Sequence, residues 1–191
     1  MPESDRRRSL TKPRRRPAEV RREQILDAAE QELLRRGLQH TTVADVADAA
    51  GVAKGTVYLY FETKQDVLAG LRRRYVEQIE ADLRAAVARA GNAPAQLEAA
   101  VRSFVTASTR QPDLHHLLFE EAGFDEADAF EPVRAVFSEL IESGFALNDP
   151  ALATDYVLGG IHAAVIAMVH KQGVRRRSVD QLTTLVSKTL S

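Results

Sequence analysis

An all-α fold of about nine helices is predicted by three features of the sequence. Apolar residues recur at three- and four-residue intervals along most of the chain, and no stretch sustains strand alternation between turn signals. Aromatic residues make up only 6% and Trp is absent, while Ala and Leu are plentiful, a composition that favours helix. Gly, Asn and Pro stand mostly between the periodic segments, where turns belong.

Each element has its own justification. In the first helix Val20, Ile25, Ala28, Ala29 and Leu33 form one apolar face, and Gly37 supplies the stop. Thr42 with Asp45 three residues on reads as a capping box that opens a second helix. That helix turns Val43, Val46, Ala47 and Ala50 inward and ends at Gly51. A third, short helix is expected over 54–61, with Val57 and Phe61 on one face. Thr63 with Asp66 repeats the capping box and opens a long fourth helix to about Arg89. Further helices are expected near 94–109, 113–121, 127–143, 150–171 and 178–190. The breaks fall at Gln111-Pro112, Gly123, Asn148-Asp149-Pro150 and Gly173.

Composition excludes several functions. With no cysteine there is no disulfide framework, zinc–thiolate site or iron–sulfur ligation, and the chain fits a reducing cytoplasm. The longest apolar run, 163–169, is far shorter than the roughly 20 residues of a membrane span. The N-terminus is basic but no apolar stretch follows it, so it is not a secretory signal. There is no Gly-x-Ser-x-Gly elbow, phosphate-binding loop or dinucleotide fingerprint, which argues against an enzyme and against a cofactor. His115-His116 and the pair His162 and His170 lack the i, i+4 spacing of helical metal ligands, so no metal is expected.

The net charge of -1 conceals an asymmetry. Residues 1–74 hold 16 basic against 11 acidic side chains, and residues 75–191 hold 10 against 16. A basic N-terminal module joined to an acidic C-terminal one follows. The expected organisation is a disordered basic arm over 1–18, a helix-turn-helix over 19–66 and a helical domain over 67–191. The arm carries Arg6, Arg7, Arg8, Lys12, Arg14, Arg15 and Arg16 between prolines, and is either a solvated tail or a strand laid on DNA phosphates.

Residues 42–61 carry the nucleic-acid reading. Ala47 is small, Gly51 follows four residues later and Val57 six after that, as two helices crossing through a three-residue turn require. Two ordinary core helices would also satisfy this spacing. Lys54 and Lys64 stand at helix N-termini, where a cation opposes the helix dipole unless an anion docks there. Thr56, Tyr58 and Tyr60 add hydroxyl donors suited to phosphate oxygens.

From Ile25 to Leu68 the order of motifs resembles the TetR-type transcriptional regulators: Ile25-Leu26-Asp27-Ala28-Ala29, Gly37, Thr41-Thr42-Val43, Ala47, Ala50-Gly51-Val52, 54–61, Lys64 and Leu68. The resemblance implies a homodimeric, DNA-binding regulator, most simply a repressor, whose third helices enter the major groove of a palindromic operator. It implies phosphate contacts from Thr42, Lys54, Tyr58, Tyr60 and Lys64, and places Gly55, Thr56 and Leu59 nearest the base edges. Leu59 there would pack on a thymine methyl. Ala53 departs from the family, which often has Ser or Thr at this helix cap.

For the C-terminal half the resemblance implies a small-molecule effector of unknown identity and a dimeric four-helix bundle. Polar or aromatic residues on apolar faces are the candidate effector contacts: Phe104, His116, Phe119, Phe137, Tyr156 and His162. Leu158, Ile161, Val165, Val169, Leu182, Leu185 and Val186 are the candidate dimer seam, with Gly159-Gly160 admitting a close helix. The alternatives are a ligand-independent DNA binder or activator and, from another class, a small helical enzyme.

Overall fold

Two reciprocal capping boxes set the frame of the N-terminal third. The computed structural model describes residues 18–121, 129–170 and 176–189. Helix α1 (Ala18–Arg36) ends at Gly37, whose φ of +80° is one that L side chains rarely adopt. Thr42 opens α2 (Val43–Ala49): its hydroxyl accepts from the Asp45 N–H while the Asp45 carboxylate accepts from the Thr42 N–H. Gly51, at φ +63°, turns the chain into α3 (Lys54–Tyr58), and Thr63 with Asp66 caps α4 (Lys64–Val87) in the same way as α2.

The remaining elements follow in order. Asn92 caps α5 (Ala93–Ser108), accepting from the Ala95 N–H at 3.0 Å. Helix α6 (Pro112–His116) runs on as a π-helical turn, Leu117–Glu121. Then come α7 (Glu131–Gly144), α8 (Pro150–His170) and α9 (Arg176–Thr189), with no strand among the described residues.

Several expectations shift by local physics. The third helix stops at Tyr58, because Leu59 and Tyr60 tighten into i→i−3 bonds to the Thr56 and Val57 carbonyls. Val20, in the first turn of α1, is exposed rather than inward. Ala18 is already helical. Residues 1–17 of the basic arm, and the breaks at Gly123 and Gly173, lie outside the described residues. The expected division at 66/67 falls inside α4, which runs unbroken from the head into the body.

One buried cluster spans both halves. In the head it gathers Ile25, Leu26, Leu33, Val46, Val57, Phe61 and Leu68. In the body α4 and α5 are the centre, flanked by α7, α8 and α9, around Leu83, Leu97, Phe104, Phe137 and Ile141. Helix α8 is apolar over most of its surface: over Pro150–Met168 its mean hydropathy is 1.5, long and apolar enough by composition to cross a membrane. Val157, Ile161 and Val165 wedge one face into the core, while Leu152, Tyr156, Gly159 and Gly160 remain exposed on the other.

Candidate nucleic-acid interface

The α2–α3 corner is assembled from the inside out. Val46, Ala47 and Val57 are buried, Val57 completely, and the small Ala47 allows α3 to lie close across α2. The Val52 N–H donates to the Ala47 carbonyl at 3.0 Å, closing the turn around Gly51. With Val57 pointing inward, Lys54, Gly55, Tyr58 and Leu59 must face out, and all four are exposed. Leu59 reaches 81% exposure, the highest among the exposed large apolar side chains described. Thr56 and Tyr60 are half-buried, and Tyr60 packs against the core.

The charged groups are arranged as follows. Lys54 Nζ lies 5.7 Å from the Tyr58 ring centroid, a cation–π pair one turn apart that keeps both on the outer face. Lys64, expected as a phosphate contact, already has one protein partner. It is half-buried, and its ammonium donates to the Leu38 carbonyl, tying the start of α4 to the chain just past α1. The Thr42 hydroxyl is also engaged, donating to Asp45 Oδ2 at 2.6 Å, so a phosphate would have to displace that bond. Ala53 leaves α3 with no side-chain cap.

Behind this surface, ion pairs fix α2 to α1. Arg36 bridges Asp45 at 2.8 Å and Glu32 at 2.9 Å, and Arg35 holds Glu32 at 2.6 Å. Hydrogen bonds from the Thr42 hydroxyl and backbone, with Arg36 adding its charge, hold the Asp45 carboxyl below the usual carboxylate range. The bond from Arg35 does the same for Glu32.

In the body, Phe104, Phe119, Phe137 and His162 join one aromatic cluster with Tyr75, His115 and Phe130. Neighbouring ring centroids stand 4.8 Å apart for Phe119–Phe130, 5.2 Å for Phe130–His162 and 6.4 Å for Phe104–Phe137. Tyr156 is 68% exposed on the opposite face of α8, and so does not line the interior. His116 is half-buried beside the fully buried His115; neighbouring helical residues point about 100° apart, so only one of them enters the core. The His115–Phe119 spacing of one turn was the sequence signal for that choice. A cleft of about 320 Å³ between α1, α4, α5 and α6 is lined by Asp27, Arg74, Tyr75, Asp82 and Arg110 among others, and by none of the six expected effector contacts.

The expected dimer seam divides. Ile161, Val165 and Val186 belong to the intramolecular core, because α8 and α9 pack on α5 through them. Leu158 and Leu182 are half-buried against that core, Leu185 is 64% exposed, and the Val169 side chain lies outside the described residues. The sequence could not separate the α8 positions, since that helix is apolar over most of its surface.

Sequence reasoning missed Arg74, which binds three carboxylates of α1. The spacing of Glu23, Asp27 and Glu30, an acidic stripe down one face of α1, was the available signal.

Comparison with known proteins agrees with this geometry. Residues 25–71 match the family described as bacterial regulatory proteins, tetR family. The HTH-type transcriptional repressor KstR2 of Rhodococcus jostii (strain RHA1) is 29% identical over 132 residues, 65% of this chain and 65% of the relative. The chain covers less than two thirds of the length of the curated relatives it matches. The fatty acid degradation regulator FadR from Bacillus halodurans superposes with a TM-score of 0.70 at 26% identity, over 88% of this chain and 99% of that one. FadR from Bacillus subtilis in complex with stearoyl-CoA gives 0.69 at 20% identity, over 88% and 97%, a likeness of fold.

Proposed function

We propose that this chain, of which residues 25–71 match the family described as bacterial regulatory proteins, tetR family, is a cytoplasmic, homodimeric transcriptional repressor released from a palindromic operator by a small-molecule effector. The observation that carries the DNA reading is Leu59. A side chain that apolar and 81% exposed, on a short helix whose opposite side is locked by Val57, suits contact with base methyl groups in the major groove. Lys54, Tyr58, Thr56 and Gly55 surround it as phosphate and base-edge contacts. Lys64 braces α4 against the α1–α2 loop with one of its three N–H donors and keeps two for a phosphate, whereas Thr42, which caps α2, reaches a phosphate with its hydroxyl only by giving up Asp45.

The dimer surface is the open face of α8 with the exposed edge of α9. Leu152, Tyr156, Gly159, Gly160 and Leu185 make it up, so Tyr156 moves from the effector list to the seam. A Cβ at Gly159 or Gly160 would meet nothing within 4 Å in this chain. Two mid-helix glycines with no close neighbour of their own are explained by a partner helix that approaches from outside. This surface also accounts for the apolarity of α8 without a membrane.

Effector binding would act on the body's aromatic cluster, and stearoyl-CoA, the ligand of the Bacillus subtilis fold relative, is the first compound to test. Selection of bound DNA from a random pool tests the central claim. Recovery of a two-fold symmetric site supports it; recovery of no motif, or of an asymmetric one, overturns it.

A further inference from the structure

The reading head meets the body along α4, where the neighbouring residues Arg74 and Tyr75 reach in different directions, and through a smaller contact of α1 with α6. Arg74 lies ten residues beyond Lys64 in α4, roughly 15 Å along the axis from the start of that helix. Its guanidinium reaches across to α1 and holds Glu30 at 2.6 Å, Asp27 at 2.7 Å and Glu23 at 3.3 Å. Glu23, Asp27 and Glu30 follow one another at one-turn intervals, so a single cation spans two turns of α1. An isolated exposed ion pair fixes little. A planar fork shared by three carboxylates and partly sheltered, as here, constrains direction as well as distance.

The second contact point lies one turn closer to the start of α4. At Gly70, α1 comes so near that a Cβ would stand 3.1 Å from both Leu26 and Arg22, and 3.0 Å from the Phe61 ring that follows α3. Apolar contact at one point alone permits rocking; a clamp one turn away removes that freedom. Tyr75, next to Arg74, faces the body instead: its hydroxyl donates to the Ser108 carbonyl at 3.3 Å and lies 3.2 Å from His115 Nδ1. The cleft lined by α1, α4, α5 and α6 lies beside this joint, where α1 also touches α6 directly.

We infer that Arg74 is the positioning residue that fixes the angle of the DNA-reading head on α4, acting through α1 and touching no DNA. Tyr75 delivers the position of α5 and α6 to the same point of α4, so a shift in the body is passed to the head instead of being lost in slippage between α1 and α4. The inference rests on the reading of the chain as a dimer on a two-fold operator, where the separation of two heads decides affinity.

The test compares the parent with Arg74→Met, which keeps most of the stem and loses the fork, and Arg74→Lys, which keeps the charge. Arg74→Met should bind the selected operator about tenfold more weakly and discriminate less against a version with two extra base pairs between half-sites. Arg74→Lys should fall between the two. Affinity for random duplex and the salt slope should stay unchanged, because no phosphate contact is removed. A second measurement needs no DNA. The chain has no cysteine, so Asp48→Cys in the head and Ala151→Cys in the body accept spin labels uniquely. Diluted in unlabelled protein, the labelled pair should give a narrow distance distribution in the parent and a broad one in Arg74→Met. An unchanged width in a folded Arg74→Met protein overturns the inference, and so does a salt slope smaller by about one, which would make Arg74 a phosphate contact. If the parent itself selects no two-fold site, the operator reading fails separately and the width still decides the joint.

Discussion

The head and the body of this protein are ordered by different means. In the head, α2 and α4 carry reciprocal Thr–Asp caps and α1 and α2 end at positive-φ glycines, so most boundaries are set by residues within four positions of them. In the body, Asn92 and Asp149 cap α5 and α8, but α6 and α7 begin with no side-chain cap bond and none of the described helices ends at a positive-φ glycine. Distant pairs such as Arg84–Glu139 and Arg102–Asp180, and the cluster around Phe104 and Phe137, hold the helices in place. A reading surface must present the same shape to every operator, which local chemistry secures; a responsive body needs packing that can be rearranged.

The comparison is broken most severely by emptying the body's core. Phe137→Ala should lower stability by about 3–5 kcal/mol, measured by denaturant unfolding, because the ring is fully buried. If order in the head is local, its helical signals should outlast those of the body in this variant. Simultaneous loss of both would show that the head depends on the body.

Next in size is the reading surface. Leu59→Ala should weaken operator binding by about 1–2 kcal/mol while leaving the unfolding midpoint unchanged, since the side chain is 81% exposed. Replacing operator thymines by uracil should weaken the parent and leave Leu59→Ala insensitive; equal losses in both would remove the methyl contact from consideration.

Thr63→Ala should cost about 1 kcal/mol by leaving the Asp66 N–H without its acceptor. The effect should register in the head and the first turns of α4, read by hydrogen exchange. The smallest effect is that of pH. Asp45 and Glu32 have folded-state values held below their unfolded ones, so their contribution is present at neutral pH and is lost as pH falls through the folded value. The α1–α2 corner should therefore loosen in acid before the body does, and Asp45→Asn should abolish most of that pH dependence.

Legibility in the sequence follows the same division. Thr42 with Asp45, Gly37, Gly51 and the inward Val57 were readable because each acts on neighbours a few residues away. Which of Tyr156, Ile161 and Val165 faces inward was not legible, because periodicity cannot orient a helix as apolar as α8. His116 was preferred to His115 for want of the rotation that α4 and α8 impose on α6. Lys64 was read as free to meet a phosphate, since no spacing reveals that Leu38, twenty-six residues earlier, offers a carbonyl beside it.

By itself the sequence determined an all-α chain, the starts of α2, α3 and α4 and the reading corner of α2 and α3. Capping, glycine dihedrals and the 3.6-residue repeat are short-range effects written in consecutive residues. Only the tertiary structure decided which face of α8 is open, which aromatic residues meet in the body and how Arg74 joins head to body. Those depend on how helices distant in sequence are turned against one another, and long-range packing alone sets that rotation.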